Sequence, residues 1–323
     1  MISVRPMTAD DTSQAARVLD TAMQGTPQPA REVGPDGAAS HLIPSRFLKE
    51  PAGCFVAEDS AQGLVGAILS VSWGSVAWLG PLGVLPQFAG QGIEQDLIRA
   101  VLAYWEPLDL SAQGLETFPE SPSHLTLFAA FGFRPQFLTA TLVGAVDPAG
   151  PREPVRQRVP PFELLRFSQL PEAMQETMQA GCRRISERHY PGLDYAKELR
   201  SVLELHLGET LLLAVGERMY GFAICHTSPT SESGGTACYV KALLIDPAID
   251  DVETLLALVE ACEGYARLER IETVRVGVNL ACWEGYLALA ERGYEMRHIQ
   301  VRMIRPLGDL LSDTSPFHFN DWR

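Results

Sequence analysis

A repeat relates the two halves of this chain and limits what it can fold into. Pro86 and Pro247 each lie at the end of an apolar, strand-like run, and Gly132 and Gly293 each precede an aromatic residue. In both halves 46 residues separate the proline from the glycine, and the offset between the halves is 161 residues. A chain of 323 residues is long enough for two domains of about 150 residues each. We therefore interpret the chain as two copies of one domain.

The elements between these markers also correspond. Apolar residues recur at helical spacing over 93–105 and over 255–265, and each half ends in an alternating, β-branched run, at 137–146 and 298–304. In the first half the pattern predicts a strand from residue 3, a helix at 9–23, strands at 54–58, 64–71 and 76–85, a helix at 91–105, a strand at 114–118 and a helix at 123–130. This order predicts an α/β (α+β) fold with a mixed central sheet flanked by helices.

Composition shifts predict the domain boundaries. Residues 148–161 are rich in proline and charge and have no periodicity, which is typical of a linker. We expect domains at 1–147 and 162–310, with a C-terminal tail at 311–323.

Charge and cysteine content exclude several classes of function. The net charge of −14 argues against a nucleic-acid partner, because nucleic-acid binding depends on Lys and Arg at phosphates. An acidic surface suits amine substrates, although many acidic proteins have no such role. The six cysteines form no CxxC pair, and no spacing predicts a metal site. No signal peptide and no apolar run of about 20 residues is visible. We expect a soluble cytoplasmic protein, without a membrane partner, that is a monomer or a homodimer.

Four stretches of the first half resemble the GNAT superfamily of N-acetyltransferases. They are VRPMTADD at the start, GCFVAED with GLVGAI as a hairpin, LGPLGVLPQFAGQGI as the cofactor loop, and HLTLFAAFGFRP near the end. The second half resembles a degenerate copy, in LLAVGERMYGFAI, ALLIDPAIDDVETLLALVEA and WEGYLALAERGYE. The resemblance covers nearly all of residues 1–146 and implies two tandem GNAT-like acyl-CoA N-acyltransferase domains.

The resemblance implies an acetyl-CoA site in the first half. Backbone N–H groups at a helix N-terminus favour an anion, and glycines let the backbone approach the pyrophosphate closely. The preceding strand would offer its backbone to the pantetheine arm. The implied cofactor-binding residues are Leu82, Gly83, Val84, Ala89, Gly90, Gln91, Gly92, Ile93 and Glu94.

The loop departs from the family pattern at both ends. Counted from Pro86, the Gln or Arg of the family pattern corresponds to Ala89, and its last small residue corresponds to Glu94. Glu94 has two interpretations, which are compatible. An acid in the first turn stabilises a helix by a few tenths of a kcal/mol, whereas a carboxylate at roughly 4 Å from a phosphate costs between about 1 and 4 kcal/mol. Together they predict weakened binding. The second loop, 248–253, has three acids and no glycine, so we expect no cofactor there.

Catalytic groups are few. Family members often carry a tyrosine as general acid four residues before the glycine that corresponds to Gly132 and Gly293. Here these two positions are Phe128 and Leu289. Glu116, at the end of a strand, is the nearest candidate for a general base, and His124 is the second. Each is also explained as a surface or capping residue.

Two functions remain open at this stage. The first is an acetyl-CoA-dependent N-acetyltransferase that acts on a small-molecule or peptide amine and binds its cofactor through the first domain. The alternative is a non-catalytic tandem GNAT-fold protein for ligand sensing or interaction, which the altered loop residues and the missing tyrosine favour.

Overall fold

The structure, a computed structural model, describes most of the chain. It covers residues 1–24, 38–150, 162–249, 251–307 and 318–321, without the side chains of 38–41 and 44. Most of the predicted linker at 148–161 and of the predicted tail at 311–323 lies outside the described residues. The chain forms two compact units. The described part of the first unit is 1–24, 38–136 and 301–307, and that of the second is 137–150, 162–249, 251–300 and 318–321.

Within the described residues, the first half of the chain forms six strands and four helices, in the predicted order except for an additional helix at Ala38–Lys49, which was not predicted. They are β1 (Ile2–Pro6), α1 (Thr12–Ala22), α2 (Ala38–Lys49), β2 (Phe55–Asp59), β3 (Gly63–Trp73), β4 (Val76–Val84), α3 (Ile93–Trp105), β5 (Ala112–Thr117), α4 (Pro122–Ala129) and β6 (Arg134–Ala145). Strands β1 to β5 follow one another in the sheet of the first unit, antiparallel except for β4 and β5. The apolar face of α3 buries Leu97, Ile98 and Val101 in the core of this unit.

A polar arrangement joins β1 to the start of α1. The Asp11 carboxylate accepts hydrogen bonds from both terminal nitrogens of Arg5, at 2.7 and 2.9 Å, and from the Thr8 backbone N–H at 2.8 Å. These hydrogen bonds, led by those from Arg5, hold the pKa of Asp11 well below its usual range. Arg5 and Asp11 of the VRPMTADD stretch therefore have a structural role.

The second half repeats the same order with additions. Its elements are β7 (Glu163–Arg166), α5 (Glu172–His189), α6 (Ala196–Glu204), β8 (Gly208–Val215), β9 (Arg218–His226), β10 (Cys238–Ile245), α7 (Val252–Leu268), β11 (Thr273–Asn279), α8 (Trp283–Glu291), β12 (Glu295–Pro306) and β13 (His318–Asn320). Strands β7, β8, β9 and β10 pair antiparallel in succession, and β10 then pairs in parallel with β11. The α/β fold class with a mixed sheet and flanking helices is confirmed.

Each unit is completed by a strand from the other half of the sequence. In the second unit β6 pairs antiparallel with β11, over Thr139–Ala145 and Thr273–Asn279. In the first unit β12 pairs antiparallel with β5, over Val301–Pro306 and Ala112–Thr117. The two halves of the sequence thus exchange their last strands between the units. The alternating pattern predicts a strand but does not encode which edge the strand joins.

The cysteines lie inside the units. All six cysteines are buried, and burial raises the pKa of the Cys54 thiol to about 12. Among the described residues, no helix combines the length and the apolar character that crossing a bilayer requires.

Candidate functional site

In the first unit β4 and β5 separate part of the way along their length. They pair only at Val76–Trp78 and Ala112–Gly114. A β-bulge in β4 follows. There two residues of β4, Gly80 and Pro81, lie opposite the single residue Leu69 of β3. Beyond the bulge β4 stays paired with β3, and within the described residues no strand pairs with its other edge at 79–84. Candidate residues Leu82, Gly83 and Val84 lie along this open edge, where an extended ligand can reach the backbone.

Two neighbours fix the backbone of β4 at the opening. Arg46 on α2, which is 1% exposed, donates a hydrogen bond from Nη1 to the Gly80 carbonyl. A Cβ at Gly83 would lie 2.8 Å from Cβ of Ala22 and 3.0 Å from Cδ2 of Leu19, so the glycine lets α1 pack directly on the strand. The sequence predicted Gly83 as a cofactor-binding residue. It did not predict the role of Arg46, which belongs to no recognisable motif.

The glycine loop after β4 leads into an open helix N-terminus. A 3₁₀ turn at Pro86–Phe88 is followed by Gly90 (φ 76°) and by Gly92 (φ 84°), which is the N-cap of α3 and has no side-chain cap. Within the described part of the chain, no hydrogen bond is donated by the backbone N–H groups of residues 90–95. Ala89, Gly90 and Gln91 are exposed, Gly92 and Glu94 are half-buried, and Ile93 is in the core. The predicted loop residues thus surround a cluster of backbone N–H groups that donate no hydrogen bond, at the positive end of a helix dipole.

Gln95 is a polar residue of this loop that sequence reasoning missed. Its Oε1 atom is buried without a hydrogen-bond partner, 4.0 Å from the position that a Cβ at Gly92 would take. The oxygen and nitrogen of a glutamine amide exchange places by a rotation, so the same side chain can present an N–H donor to the loop. A glutamine in the first turn after a glycine loop was the available signal.

The corresponding helix N-terminus of the second unit is closed. The Asp251 carboxylate accepts hydrogen bonds from the N–H and the hydroxyl of Thr254, both at 2.7 Å. The Ala248 N–H donates to Asp246 Oδ1 at 3.0 Å. Asp250 lies outside the described residues. The carboxylates of this loop therefore accept hydrogen bonds from its own N–H groups, and their negative charge disfavours binding of an anion.

The strand opening of the second unit is also filled. Strands β10 and β11 pair only at Cys238–Val240 and Val274–Val276. Beyond that point β13 pairs antiparallel with β10, at Ala242–Leu244. The chain itself therefore supplies the strand that would otherwise be missing from this edge.

A buried ion-pair cluster lies at a β-bulge of β10, where the pairing with β9 shifts between Val240 and Ala242. Lys241, at the offset of 161 from Gly80, is 1% exposed, and its Nζ lies 2.8 Å from Glu232 Oε2. His226 Nε2 lies 3.2 Å from Glu198 Oε1, and both side chains are fully buried. Single ligand atoms of His226, Glu198 and Glu232 lie within 4.8 Å of one another, which is metal-like spacing. Because the Lys241 ammonium already supplies the cation, we assign the cluster to structural ion pairing.

Glu116, the first candidate for a general base, is held in an ion pair. It faces Arg302 across the β5–β12 ladder, with Nη2 2.7 Å and Nε 2.9 Å from Oε1. Both side chains are at most 2% exposed, and the guanidinium lies 5.2 Å from the Trp78 ring centroid. Proton abstraction by this carboxylate would have to disrupt a buried charge pair. A lone arginine in the apolar run 298–304 was the signal for a buried partner.

His124 and Phe128 lie one turn apart on α4. His124 is half-buried in the first turn, and its ring centroid is 6.4 Å from that of Phe128. Among the described residues, no side chain forms a hydrogen bond with this ring. Phe128 is buried in the core, with its ring at 77° to that of Phe133, and it has no proton to donate.

Comparisons with known proteins identify the fold. No family model matches the chain, and no curated protein matches it significantly. Solved structures match over the whole length. A candidate acetyltransferase from Pyrococcus horikoshii has a TM-score of 0.69 at 14% identity, over 100% of this chain and 94% of its own. A GCN5-related N-acetyltransferase from Sphaerobacter thermophilus has a TM-score of 0.65 at 14% identity, over 97% and 98%.

A third similar structure carries the duplication. It is a tandem GNAT protein from the clavulanic acid biosynthesis pathway, with a TM-score of 0.59 at 15% identity over 97% of this chain and 100% of that one. At such identities the likeness concerns the fold. The open strand edge, the glycine loop and the repeated element order agree with it, and the chain has the tandem GNAT fold of N-acetyltransferases.

Proposed function

We propose that the chain is an acetyl-CoA-dependent N-acetyltransferase whose first unit binds the cofactor. The contrast between the two helix N-termini carries this proposal. In the first unit the backbone N–H groups of residues 90–95 donate no hydrogen bond and lie beside the open edge of β4. In the second unit Asp251 caps the equivalent loop, and β13 fills the edge of β10. One closed and one open helix N-terminus support a single anion site per chain, in the first unit.

The residues of the first unit fit the group that they would hold. The N–H groups at 90–95 and the Gln95 amide would bind the pyrophosphate, and the free edge of β4 at 82–84 would bind the pantetheine arm. Acetyl-CoA would supply an acyl group activated as a thioester. Arg46 would keep the bulge at Gly80 in place. Glu94, half-buried in the first turn, would weaken phosphate binding through like charge.

The acceptor is proposed to be a small-molecule or peptide amine, which must lose a proton as it attacks. His124 is the better candidate for the base, because its imidazole forms no hydrogen bond with the described residues, whereas Glu116 is ion-paired with Arg302. Glu116 would then act through the ion pair, by holding β5 beside β12. Glu116 as base remains the second possibility, through an ordered water.

Calorimetric titration of the whole chain with acetyl-CoA tests the proposal. We expect one site per chain. Gly92→Glu should abolish binding, because a side chain there enters the amide cluster. Gly216→Glu is the matched control, since Gly216 also has a positive φ (58°), has open space around its Cβ position and lies in the second unit. Two sites, or binding that survives Gly92→Glu, would contradict the assignment.

The alternative is a non-catalytic tandem GNAT-fold protein that senses a ligand or binds a partner. The ion-paired Glu116 and the phenylalanine at 128 favour it, because both remove a proton-transfer group. The two functions separate in one assay. A chain that binds acetyl-CoA but releases no free thiol with a panel of amines supports the alternative, whereas release of thiol that is lost in His124→Ala supports the enzyme.

A further inference from the structure

Residues 318–321, which are β13 and the residue after it, are buried as deeply as the core. His318, Phe319, Asn320 and Asp321 are each 1–2% exposed. Their backbone pairs antiparallel with β10, and the ladder continues with a hydrogen bond of 2.9 Å from the Asp321 N–H to the Lys241 carbonyl. This segment therefore occupies the opening that β10 and β11 leave where they separate.

Each described side chain of the segment has a place in the second unit. Phe319 joins the main apolar core. The His318 ring lies 4.9 Å from that of His189, its Nε2 is 3.1 Å from the Tyr190 hydroxyl, and its Nδ1 is 3.9 Å from Cys282 Sγ. These contacts favour an aromatic residue at position 319 and a histidine at position 318, because both ring nitrogens of His318 have a partner.

Asp321 is accommodated by a glycine of the opposite strand. A Cβ at Gly277 on β11 would lie 2.3 Å from Asp321 Oδ2 and 2.8 Å from Asp321 Cβ. Real Cβ atoms do not come so close, so the position admits the segment only while it carries no side chain. Gly277 sits mid-strand in a ladder with β6, where glycine weakens a strand and marks close approach.

We propose that the opening between β10 and β11 is a peptide-binding groove, which accepts an extended segment of the pattern His-Phe-Asn-Asp by strand addition, and that residues 318–321 are its resident ligand. Backbone pairing to β10 supplies affinity, and the pockets for the histidine, the phenylalanine and the acid supply selectivity. The second unit thus binds peptide at the edge where the first unit is proposed to bind a pantetheine arm. The groove needs no cofactor, and it stands even if the first unit binds none.

A peptide supplied in trans tests the groove directly. A chain ending at residue 307 is titrated with a fluorescent peptide of residues 314–323. We expect saturable binding at one site per chain, and a loss of about tenfold or more in affinity when Phe319 of the peptide is alanine. The full-length chain is the matched control and should bind the peptide at least about tenfold more weakly, because its groove is filled. Equal binding by both chains, or by a scrambled peptide, would overturn the proposal.

A second experiment decides the matter if the shortened chain does not fold. Cys282 is fully buried beside His318, so release of the segment should expose its thiol. In the full-length chain, Gly277→Ala should speed maleimide labelling of Cys282 by about tenfold or more, as read by mass spectrometry. Gly264→Ala, on α7 with only the Arg267 side chain near its Cβ position, is the control and should not.

The double variant Gly277→Ala with Asp321→Gly provides the rescue. Removing the Asp321 side chain removes the contact that the new methyl group would make, so labelling of Cys282 should return toward the wild-type rate. A Gly277→Ala chain that labels like wild type, or a double variant that labels no more slowly than Gly277→Ala, would overturn the groove.

Discussion

Removal of Arg302 tests whether the C-terminal half of the chain stabilises the first unit. The Arg302→Ala variant would leave Glu116 as a carboxylate that is 1% exposed and has lost two hydrogen bonds to Oε1, at 2.9 and 2.7 Å. Loss of one partner of a buried ion pair costs about 3–5 kcal/mol. The guanidinium also lies over Trp78, and that contact adds roughly 1 kcal/mol. We expect a loss of about 5 kcal/mol in total.

Thermal unfolding followed by circular dichroism measures this loss. One kcal/mol corresponds to about 2–4 °C for a domain of 150–250 residues, so the transition of the first unit should fall by roughly 10–20 °C. The control is Arg305→Ala on the same strand, which loses one hydrogen bond of 2.9 Å to Gln113 and should cost about 1 kcal/mol. Glu116→Leu with Arg302→Met should recover most of the stability, because an apolar pair needs no desolvation of charge. An Arg302→Ala variant no less stable than Arg305→Ala would refute the reasoning.

Three further outcomes are expected. Glu94→Gly should tighten acetyl-CoA binding, by about tenfold for each 1.4 kcal/mol of repulsion removed, and the gain should shrink at high salt; an unchanged affinity in calorimetry would mean that the carboxylate points away from the phosphate. Gln95→Ala should weaken acetyl-CoA binding about tenfold while the melting temperature holds, and Gln91→Ala, an exposed loop residue, is its control. Asp11→Asn should lower stability by roughly 1 kcal/mol at pH 6, since Arg5 is partly exposed. The folded-state pKa of Asp11 is lowered, so its contribution is complete above the unfolded value of about 3.9 and is lost as the pH falls further. Urea unfolding at several pH values should therefore show the two proteins converging in acid, and a constant difference would contradict the ion pair.

The duplicated architecture was predictable from the amino-acid sequence. The spacing of Pro86 to Gly132 recurs at Pro247 to Gly293, and hydrophobic periodicity predicted the elements of the first half within a few residues of their bounds, except for α2, which it missed. The glycine loop and the helix after it were also predictable, because a positive φ at Gly90 and Gly92 and an uncapped first turn are local properties of the chain.

Which residues meet was decided by the tertiary structure. Periodicity shows that a strand has a buried face, but the edge that β6 or β12 joins depends on which partner buries the most surface in the assembled sheet. The pairing of Glu116 with Arg302 follows from that exchange, across 186 residues of sequence. The place of Phe319 follows from the divergence of β10 and β11, since only their separation leaves an edge for a third strand. Such long-range contacts depend on the positions of all the strands at once, and no local pattern of residues encodes them.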